Sequence, residues 1–383
     1  MNKFRLTISL YGLLLFILLV SIWKFKPVED RKVVTLFTMY DKNQAIILSQ
    51  FLKDFKKEVE ETTNLDIEIV SINDLENSKI KNDPFLALKN LDNGKIQLLH
   101  GVAYYWKKEI PEATFFASVP FGMYHETFQK WIEKGGGDTL WRKTYAIHGL
   151  SKVLPFMCGN TGPQWGGISS VEITKPSSFK NLKFRLPGLG EEVLSSANFG
   201  GLSQRVSPDA IPEFAAMPID KFIDWIGPEE DIDLIIKNWR FPLNKPNKLF
   251  YYSNGWHEPS TQYEMLINSD FLKGLNPDVR DKIKIIIAKY DAIILSKYLE
   301  KNDLAYEQLR KNLSVNNIKI EIKSFNSDFI NASKLELEKI LTKYKSNSKE
   351  INCLMCDQVY SIYFKYKNEN DTRNLTVIRN ENK

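Results

Sequence analysis

The sequence predicts an α/β protein built as two lobes. Three observations carry this reading. First, Lys32 to Tyr40 (KVVTLFTMY) is β-branched and apolar, Asn43 to Thr62 is apolar at helical spacing, and Leu65 to Ile72 (LDIEIVSI) is a second apolar run. Buried parallel strands read as such runs, and strand–helix–strand alternation at this spacing makes a right-handed α/β unit. Second, 383 residues suffice for two lobes of ordinary domain size. Third, a composition of 43% hydrophobic and 12% aromatic residues supports a sizeable core and excludes wholesale disorder.

In order, the first helix carries Ile46, Leu48, Phe51, Leu52, Phe55 and Val59 with lysines and glutamates between them. Pro84 to Leu91 is a short helix, and Lys95 to Tyr104 contains a third strand that runs into Tyr104-Tyr105-Trp106. Aromatics just past the carboxyl end of a parallel strand lie where α/β folds bind ligands. Ala117 to Met123 (ASVPFGM) reads as a strand ending in a turn. Helices follow at Glu126 to Lys134 and Asp138 to Tyr145, separated by Gly135-Gly136-Gly137, and Gly149 to Met157 is another strand. Lys183-Phe184-Arg185-Leu186 is a short strand stopped by Pro187-Gly188; helices are expected at Glu191 to Phe199 and Asp209 to Ala216.

Asp220 to Ile226 is strand-like and ends at Gly227-Pro228, and Glu229 begins a helix, since acids favour the first turn. Trp239 to Lys248 is a Pro-rich loop. Leu249 to Tyr252 and Tyr263 to Asn268 are strands. Pro277 to Leu309 is a long helix whose apolar positions (Ile283, Ile286, Ile287, Tyr290, Ile293, Ile294, Tyr298) form a wide stripe. A last strand, Ile318 to Phe325, precedes a helix at Phe329 to Tyr344, and the tail is polar from Asn368.

The charge balance, 52 basic against 47 acidic residues, is mild and spread along the chain, and no long basic run marks a nucleic-acid partner. Lys3 and Arg5 precede an almost wholly apolar run from Leu6 to Trp23, followed by Lys24 and Lys26. That is a secretory signal or a single membrane anchor, and the body is exported either way. The lack of an Ala-x-Ala site favours the uncleaved anchor, and no cysteine invites lipidation there. Three cysteines do not make a disulfide framework. Cys353-Leu-Met-Cys356 lacks the strand-to-helix context of a redox motif and reads as two incidental thiols or one local disulfide.

Most catalytic classes are excluded by what is missing. Gly188-Leu-Gly190 is followed by Glu191 and Glu192, which would repel a phosphate at a helix N-terminus. No Gly-x-Ser-x-Gly or His-Glu-x-x-His occurs, and the four histidines (His100, His125, His148, His257) do not pair at ligand spacing. An enzyme is therefore not expected. What remains is polar groups at turns and strand ends: Gln164, Arg185, Asp224 with Trp225, and Glu258 beside Trp256. A strand-end guanidinium is suited to hold a carboxylate by two parallel hydrogen bonds. An amide oxygen and two carboxylates suit a hard cation, sodium or calcium. The plain alternatives are that Asp224 caps a following helix and that Glu258 faces solvent.

Five segments together resemble the extracytoplasmic solute-binding subunits of TRAP transporters, the DctP family. They are Pro120-Phe-Gly-Met123, Gly159-Asn-Thr-Gly162 with Gln164 and Gly166-Gly167, Lys183-Phe-Arg-Leu-Pro-Gly-Leu-Gly190, Asp224-Trp-Ile-Gly-Pro228 and Gly255-Trp-His-Glu-Pro259. They occur in the family's order, and the resemblance covers roughly Val33 to Tyr344. It looks closest to the branch that binds 2-oxo acids and related monocarboxylates.

The resemblance implies a periplasmic-binding-protein-like fold: two α/β lobes around a central cleft, crossing strands and a long connecting helix. It implies lobes of 33–160 with 250–290 and 161–249 with 291–345, flanked by a leader at 1–32 and a tail or helix at 346–383. It implies Arg185 as carboxylate clamp, Gln164 on ligand and metal, and Asp224, Trp225 and Glu258 as metal ligands. Asn160, Tyr105 (with Tyr104 as the alternative) and Trp225 would face the ligand. Integral membrane subunits would receive the closed, loaded protein, and the late helix from Phe329 could support a homodimer. The alternatives are a binding protein for a dicarboxylate, amino acid or sugar acid, and an anchored periplasmic sensor or scaffold. Three departures stand out: Asp224 where the family usually has Glu, Ile168 where it usually has Trp, and a longer Trp239 to Lys248 loop.

Overall fold

The protein's structure is a computed structural model that describes residues 31–40, 46–74, 80, 83–203, 222–224, 248–311, 314–315, 318–346, 349 and 351–371. The leader, the helices expected at Asp209 to Ala216 and from Glu229, and most of the Trp239 to Lys248 loop lie outside the described residues. Among the described residues no helix is long and apolar enough to cross a membrane.

Two sheets organise the chain. The first combines β1 (Lys32–Thr38), β2 (Leu65–Ser71), β3 (Leu98–Gly101), β4 (Val153–Asn160) and β10 (Gln262–Asn268), in the order β2-β1-β3-β10-β4. β1 is parallel to β2 and β3, while β10 is antiparallel to β3 and β4. The second sheet has the order β11-β12-β9-β5-β8-β6-β7. Its members are β5 (Gly167–Ser169), β6 (Lys183–Arg185), β7 (Leu202–Ser203), β8 (Phe222–Asp224), β9 (Lys248–Tyr252), β11 (Ser314–Val315) and β12 (Ile318–Lys323). Residues 250–252, expected with the first lobe, therefore hydrogen-bond in the second sheet.

Helix α1 (Ile46–Thr62) lays its periodic apolar face on the first sheet: Leu48, Phe51, Leu52, Phe55 and Val59 are all buried. α2 (Phe85–Asp92) does the same with Ala87, Leu88 and Leu91. α3 (His125–Lys134) and α4 (Gly137–Ile147) are split at Gly136, whose φ is 85°. α5 (Gly188–Ser195) starts three residues earlier than expected and α6 (Ser269–Lys273) follows β10 directly. α8 (Ser327–Ser346) closes the second lobe through Phe329, which packs on Phe179, Phe199 and Phe325.

The strand expected at Ala117 to Met123 is not one. Pro111–Phe116 forms a tight helical turn, and 117–123 continues as a buried loop. Pro120 has no donor for a ladder, and Phe121 sits at φ 56°. The loop's polar groups turn to a different partner: Phe121 N donates to Trp256 O at 2.9 Å and Gln262 N donates to Ala117 O at 3.1 Å. Apolar content made the run look like a strand; its burial under residues 256–262 is what it reflects.

Among the described residues, three connections join the lobes ahead of the C-terminal segment. β4 of the first sheet continues through 161–166 into β5 of the second, and β9 of the second continues through 253–261 into β10 of the first. These two crossing segments bond to each other: Thr161 N donates to Thr261 O, Thr261 N to Thr161 Oγ1, both at 3.1 Å, and Gln164 N to Glu258 O at 3.0 Å. The third connection is α7 (Pro277–Lys311). Its first half packs Tyr290 on Phe51 and Ile294 beside Gly159, and its second half packs Tyr306 on Trp165 with ring centroids 4.3 Å apart. Ile293, expected in the buried stripe, lies on the open side. Gly159 shows why this segment needs glycine: its φ is 108°, and a Cβ there would stand 2.7 Å from Ile294.

The C-terminal segment returns to the first lobe. α9 (Cys356–Asn370) places Tyr363 against Trp131 and Phe115, and Met123 N donates to the Tyr363 hydroxyl at 2.9 Å.

Candidate functional site

The site is assembled where the crossing segments pass the ends of β5, β6 and β8. β5 pairs Ile168 with Asp224, and β6 pairs Arg185 with Asp224. Adjacent strands lie about 4.8 Å apart, so Ile168, Asp224 and Arg185 make one row across three strands. The Asp224 side chain and all of Trp225 lie outside the described residues. β6 ends at Arg185 because Leu186-Pro187 leaves the sheet and α5 begins at Gly188.

Glu258 comes to this row from the second crossing segment. It is buried, and its Oε2 accepts a hydrogen bond from Thr261 Oγ1 at 2.7 Å. Burial pushes its carboxyl up to about 7, against the opposing pull of the Thr261 hydrogen bond and the Arg185 charge. The reading of Glu258 as a solvent-facing acid is therefore excluded.

Gln164 comes from the first crossing segment, and its backbone N–H is the one that donates to Glu258 O. Its side-chain Oε1 is buried and has no hydrogen-bond partner among the described residues. A buried carbonyl oxygen without a donor costs about 1–3 kcal/mol, which a ligand or cation would relieve. The close approach depends on Gly255, where a Cβ would stand 2.1 Å from Gln164 O. That glycine explains the first position of Gly255-Trp-His-Glu-Pro259: backbone must touch backbone for Gln164 and Glu258 to meet.

Asn160 has a different setting. Its Nδ2 donates to Gln262 Oε1 at 3.1 Å and its Oδ1 accepts from Gly162 N at 2.8 Å. Gln262 in turn donates to Gly159 O and to Asp291 Oδ1 on α7, both at 2.8 Å. Both polar atoms of Asn160 are thus engaged in holding the turn on which Gln164 sits.

The electrostatics of Tyr104 reach this row. Burial and the Glu258 carboxylate hold its phenol well above the ordinary range, while Arg185 pulls it back. Its ring lies 3.7 Å from where a Gly188 Cβ would be, so it bridges from the first lobe to the start of α5. Tyr105 turns instead toward Tyr40, with centroids 6.1 Å apart, and packs edge-on to Tyr104. The contacts of the two rings differ, and that difference is not legible from an adjacent pair in sequence.

Lys107, one turn on from Tyr104, was not singled out by the sequence. Its Nζ donates to Gly188 O at 2.9 Å and pairs with Glu192 Oε1 at 2.9 Å and Glu191 Oε2 at 3.3 Å. Tyr344 on α8 also donates to Glu192. The two acids that argued against a phosphate site thus neutralise a lysine of the opposite lobe. The signal was present in Glu191-Glu192 but pointed to no partner.

A hard cation fits the described donors. Gln164 Oε1 is a buried oxygen with no partner among the described residues and Glu258 a buried carboxylate, the oxygen donors that hard cations take.

Comparison with known proteins bears on this geometry. Residues 38–208 match the model of bacterial extracellular solute-binding protein family 7, DctP. A monocarboxylate 2-oxoacid-binding periplasmic protein of Nostoc sp. (strain PCC 7120 / SAG 25.82 / UTEX 2576) is 30% identical over 247 residues. Over residues 38–208 the chain is therefore similar to the DctP family. The match spans 62% of this chain and 64% of that relative, so it covers less than two thirds of the relative's length. TRAP periplasmic solute-binding proteins share the two-lobed fold. One from Pseudoalteromonas atlantica T6c, solved with bound sodium and pyruvate, gives a TM-score of 0.71 at 25% identity, covering 88% of this chain and 94% of the other. One from Colwellia psychrerythraea, solved with calcium and pyruvate, gives 0.73 at 23% identity over 88% and 95%. One from Bordetella bronchiseptica RB50, with calcium and picolinate in its active site, gives 0.72 at 20% over 89% and 93%.

Proposed function

We propose that this chain captures a small monocarboxylate, a 2-oxo acid in the first instance, in the cleft between its lobes and delivers it to integral membrane subunits of a TRAP transporter. The observation that carries the reading is that hydrogen-bonded crossing segments carry both a buried Gln164 Oε1, without a partner among the described residues, and a buried Glu258 carboxylate within the field of Arg185. Arg185 clamps the carboxylate of the acid. Gln164, Glu258, Asp224 and Trp225 hold a sodium or calcium ion, which supplies positive charge for the oxygens of the acid. Tyr104 lines the pocket, with Tyr105 behind it, and Asn160 frames the turn. The names of the relatives support the substrate class: the Nostoc protein is a 2-oxoacid binder and the sodium-bound neighbour holds pyruvate.

The mechanism is capture without bond chemistry. The acid binds to one lobe, the lobes close by bending at the crossing segments, and water is excluded. A charge-assisted hydrogen bond contributes roughly 1.5–3 kcal/mol net, and a micromolar site needs about 8 kcal/mol. The cation and the aromatic wall must supply the remainder. A dicarboxylate would need a second available cation; Lys107, nearest in sequence to the tyrosines, is already paired with Glu191 and Glu192. The protein works outside the cytoplasmic membrane, freed from its leader or tethered by it, and is not an enzyme. A homodimer through α8 remains part of the proposal.

A thermal-shift screen of organic acids, each with and without sodium and calcium, tests this. Pyruvate or a longer 2-oxo acid should raise the melting temperature, and chelation or sodium removal should shrink the rise. A rise with a sugar acid or dicarboxylate, and none with any monocarboxylate, overturns the assignment.

A further inference from the structure

A second cluster lies away from the cleft, where the turn before α9 meets the first lobe. Glu112 is fully buried there. Its Oε1 accepts from Met355 N at 3.0 Å and faces His148 Nε2 at 3.0 Å, while its Oε2 lies 3.2 Å from Cys353 Sγ. Cys353 and Cys356 are both buried and are joined as a disulfide. A disulfide sulfur has no proton to donate. In that state the buried Oε2 faces a lone-pair-bearing atom, an unfavourable setting for a carboxylate oxygen. In the dithiol state the same contact is a hydrogen bond.

We propose that Cys353, Cys356 and Glu112 form a binding site for a zinc-class divalent cation when the two cysteines are dithiols, with His148 holding the carboxylate in place. Three features support it. Two cysteines separated by two residues have the spacing of a zinc half-site. The ligand atoms of Glu112, Cys353 and Cys356 all lie within 4.8 Å of one another. Tetrahedral ligands of zinc lie roughly 3.3–3.8 Å apart, so small rotations suffice. A ring nitrogen on the far oxygen of a ligating carboxylate is the kind of support metal ligands require. Sulfur donors separate this site from the all-oxygen cleft, which suits a harder ion.

The chemistry balances as follows. A dithiol reductant supplies two electrons and two protons, the Cys353–Cys356 bond breaks, and the reductant leaves as its own disulfide. Zinc then binds the two cysteines as thiolates, displacing one proton from each thiol. Entry is through the turn before α9, where Asn352 has φ 54° and its side chain tethers the turn by one bond to Glu109 O at 2.9 Å.

The test uses the purified full chain. It is treated with dithiothreitol, desalted under argon, checked for three thiols in denaturant, and dialysed against limiting zinc. The expected result is about one zinc retained per chain, none by the oxidised protein, and a thiolate-to-cobalt charge-transfer band on cobalt substitution. Cys353→Ser and Cys356→Ser should abolish the band, and Glu112→Gln should weaken zinc retention at least tenfold. Should the serine variants fold poorly, the cobalt band of the reduced parent decides alone. A disulfide that resists reduction in the folded chain, reduced chain that takes up no zinc, or zinc uptake without a thiolate band each overturns the proposal. Organic-acid binding measured on the same samples keeps this outcome separate from the cleft reading.

Discussion

At the residue scale, the cleft turns on what surrounds each polar atom. Arg185 lies half-buried at the end of β6 and partly offsets the upward shift that burial imposes on the Glu258 carboxyl and the Tyr104 phenol. Arg185→Lys keeps the charge but removes the planar two-point donor. We expect a 10- to 100-fold rise in Kd for the acid, about 1.5–3 kcal/mol, by calorimetry at fixed cation concentration. Binding as tight as the parent's would show that Arg185 is not the clamp. Gln164 could be singled out in sequence as a polar residue in a glycine-rich bend, and Glu258 as an acid before proline. That Gln164 Oε1 is orphaned and Glu258 lies within the core could not, because both depend on a neighbour about a hundred positions away. Asn160 was legible as a turn residue, but its bonds to Gln262 and Gly162 needed the fold.

At the element scale, the crossing segments and the α5 terminus set the geometry. Gly255→Ala would drive a Cβ into Gln164 O, 2.1 Å away, and part the two segments. Overpacking of this kind costs about 1–3 kcal/mol, and here it should also blunt the cation-dependent thermal shift. Lys107→Met removes the bridge from the tyrosine turn to Gly188, Glu191 and Glu192. The groups are partly exposed, so the loss is modest, about 1 kcal/mol or fivefold in affinity. Small-angle scattering should then show a more open ligand-bound average; an unchanged curve and Kd would show that this contact does not favour closure. Helices with a clear apolar period, α1 and α7 above all, were legible to within a few residues. The loop at 117–123 was not, since an apolar run buried by another segment carries the same composition as a strand.

For the whole molecule, the first lobe holds a charge question of its own. Glu264 on β10 is fully buried between Trp106 Nε1, which donates to it at 2.7 Å, and the Tyr145 hydroxyl at 2.8 Å. Burial pushes its carboxyl from 4.5 up to about 7. The folded state therefore holds a proton that the unfolded chain releases across that window. The stability from neutral Glu264 is fully present below about pH 4.5 and is lost as pH rises through about 7. The difference amounts to about 3 kcal/mol. In Glu264→Gln, denaturant unfolding at pH 5 and pH 8 should differ less than in the parent by about that amount. A pH slope unchanged by the substitution would mean that Glu264 is already ionised when folded.

Sequence alone determined the α/β class, the long helix and the family resemblance, because these rest on local periodicity and on short motifs in a set order. It also placed the polar groups of the cleft on turns and strand ends, where Gly and Pro punctuation is local. Only the tertiary structure decided that β9 belongs to the second sheet and that two distant segments bond to each other across the lobes. It alone brought Glu112, with His148 against it, to the cysteines at the start of α9. Such relations are pairings between residues far apart in the chain, and a buried polar atom takes its chemistry from whichever distant group packing brings within hydrogen-bond reach.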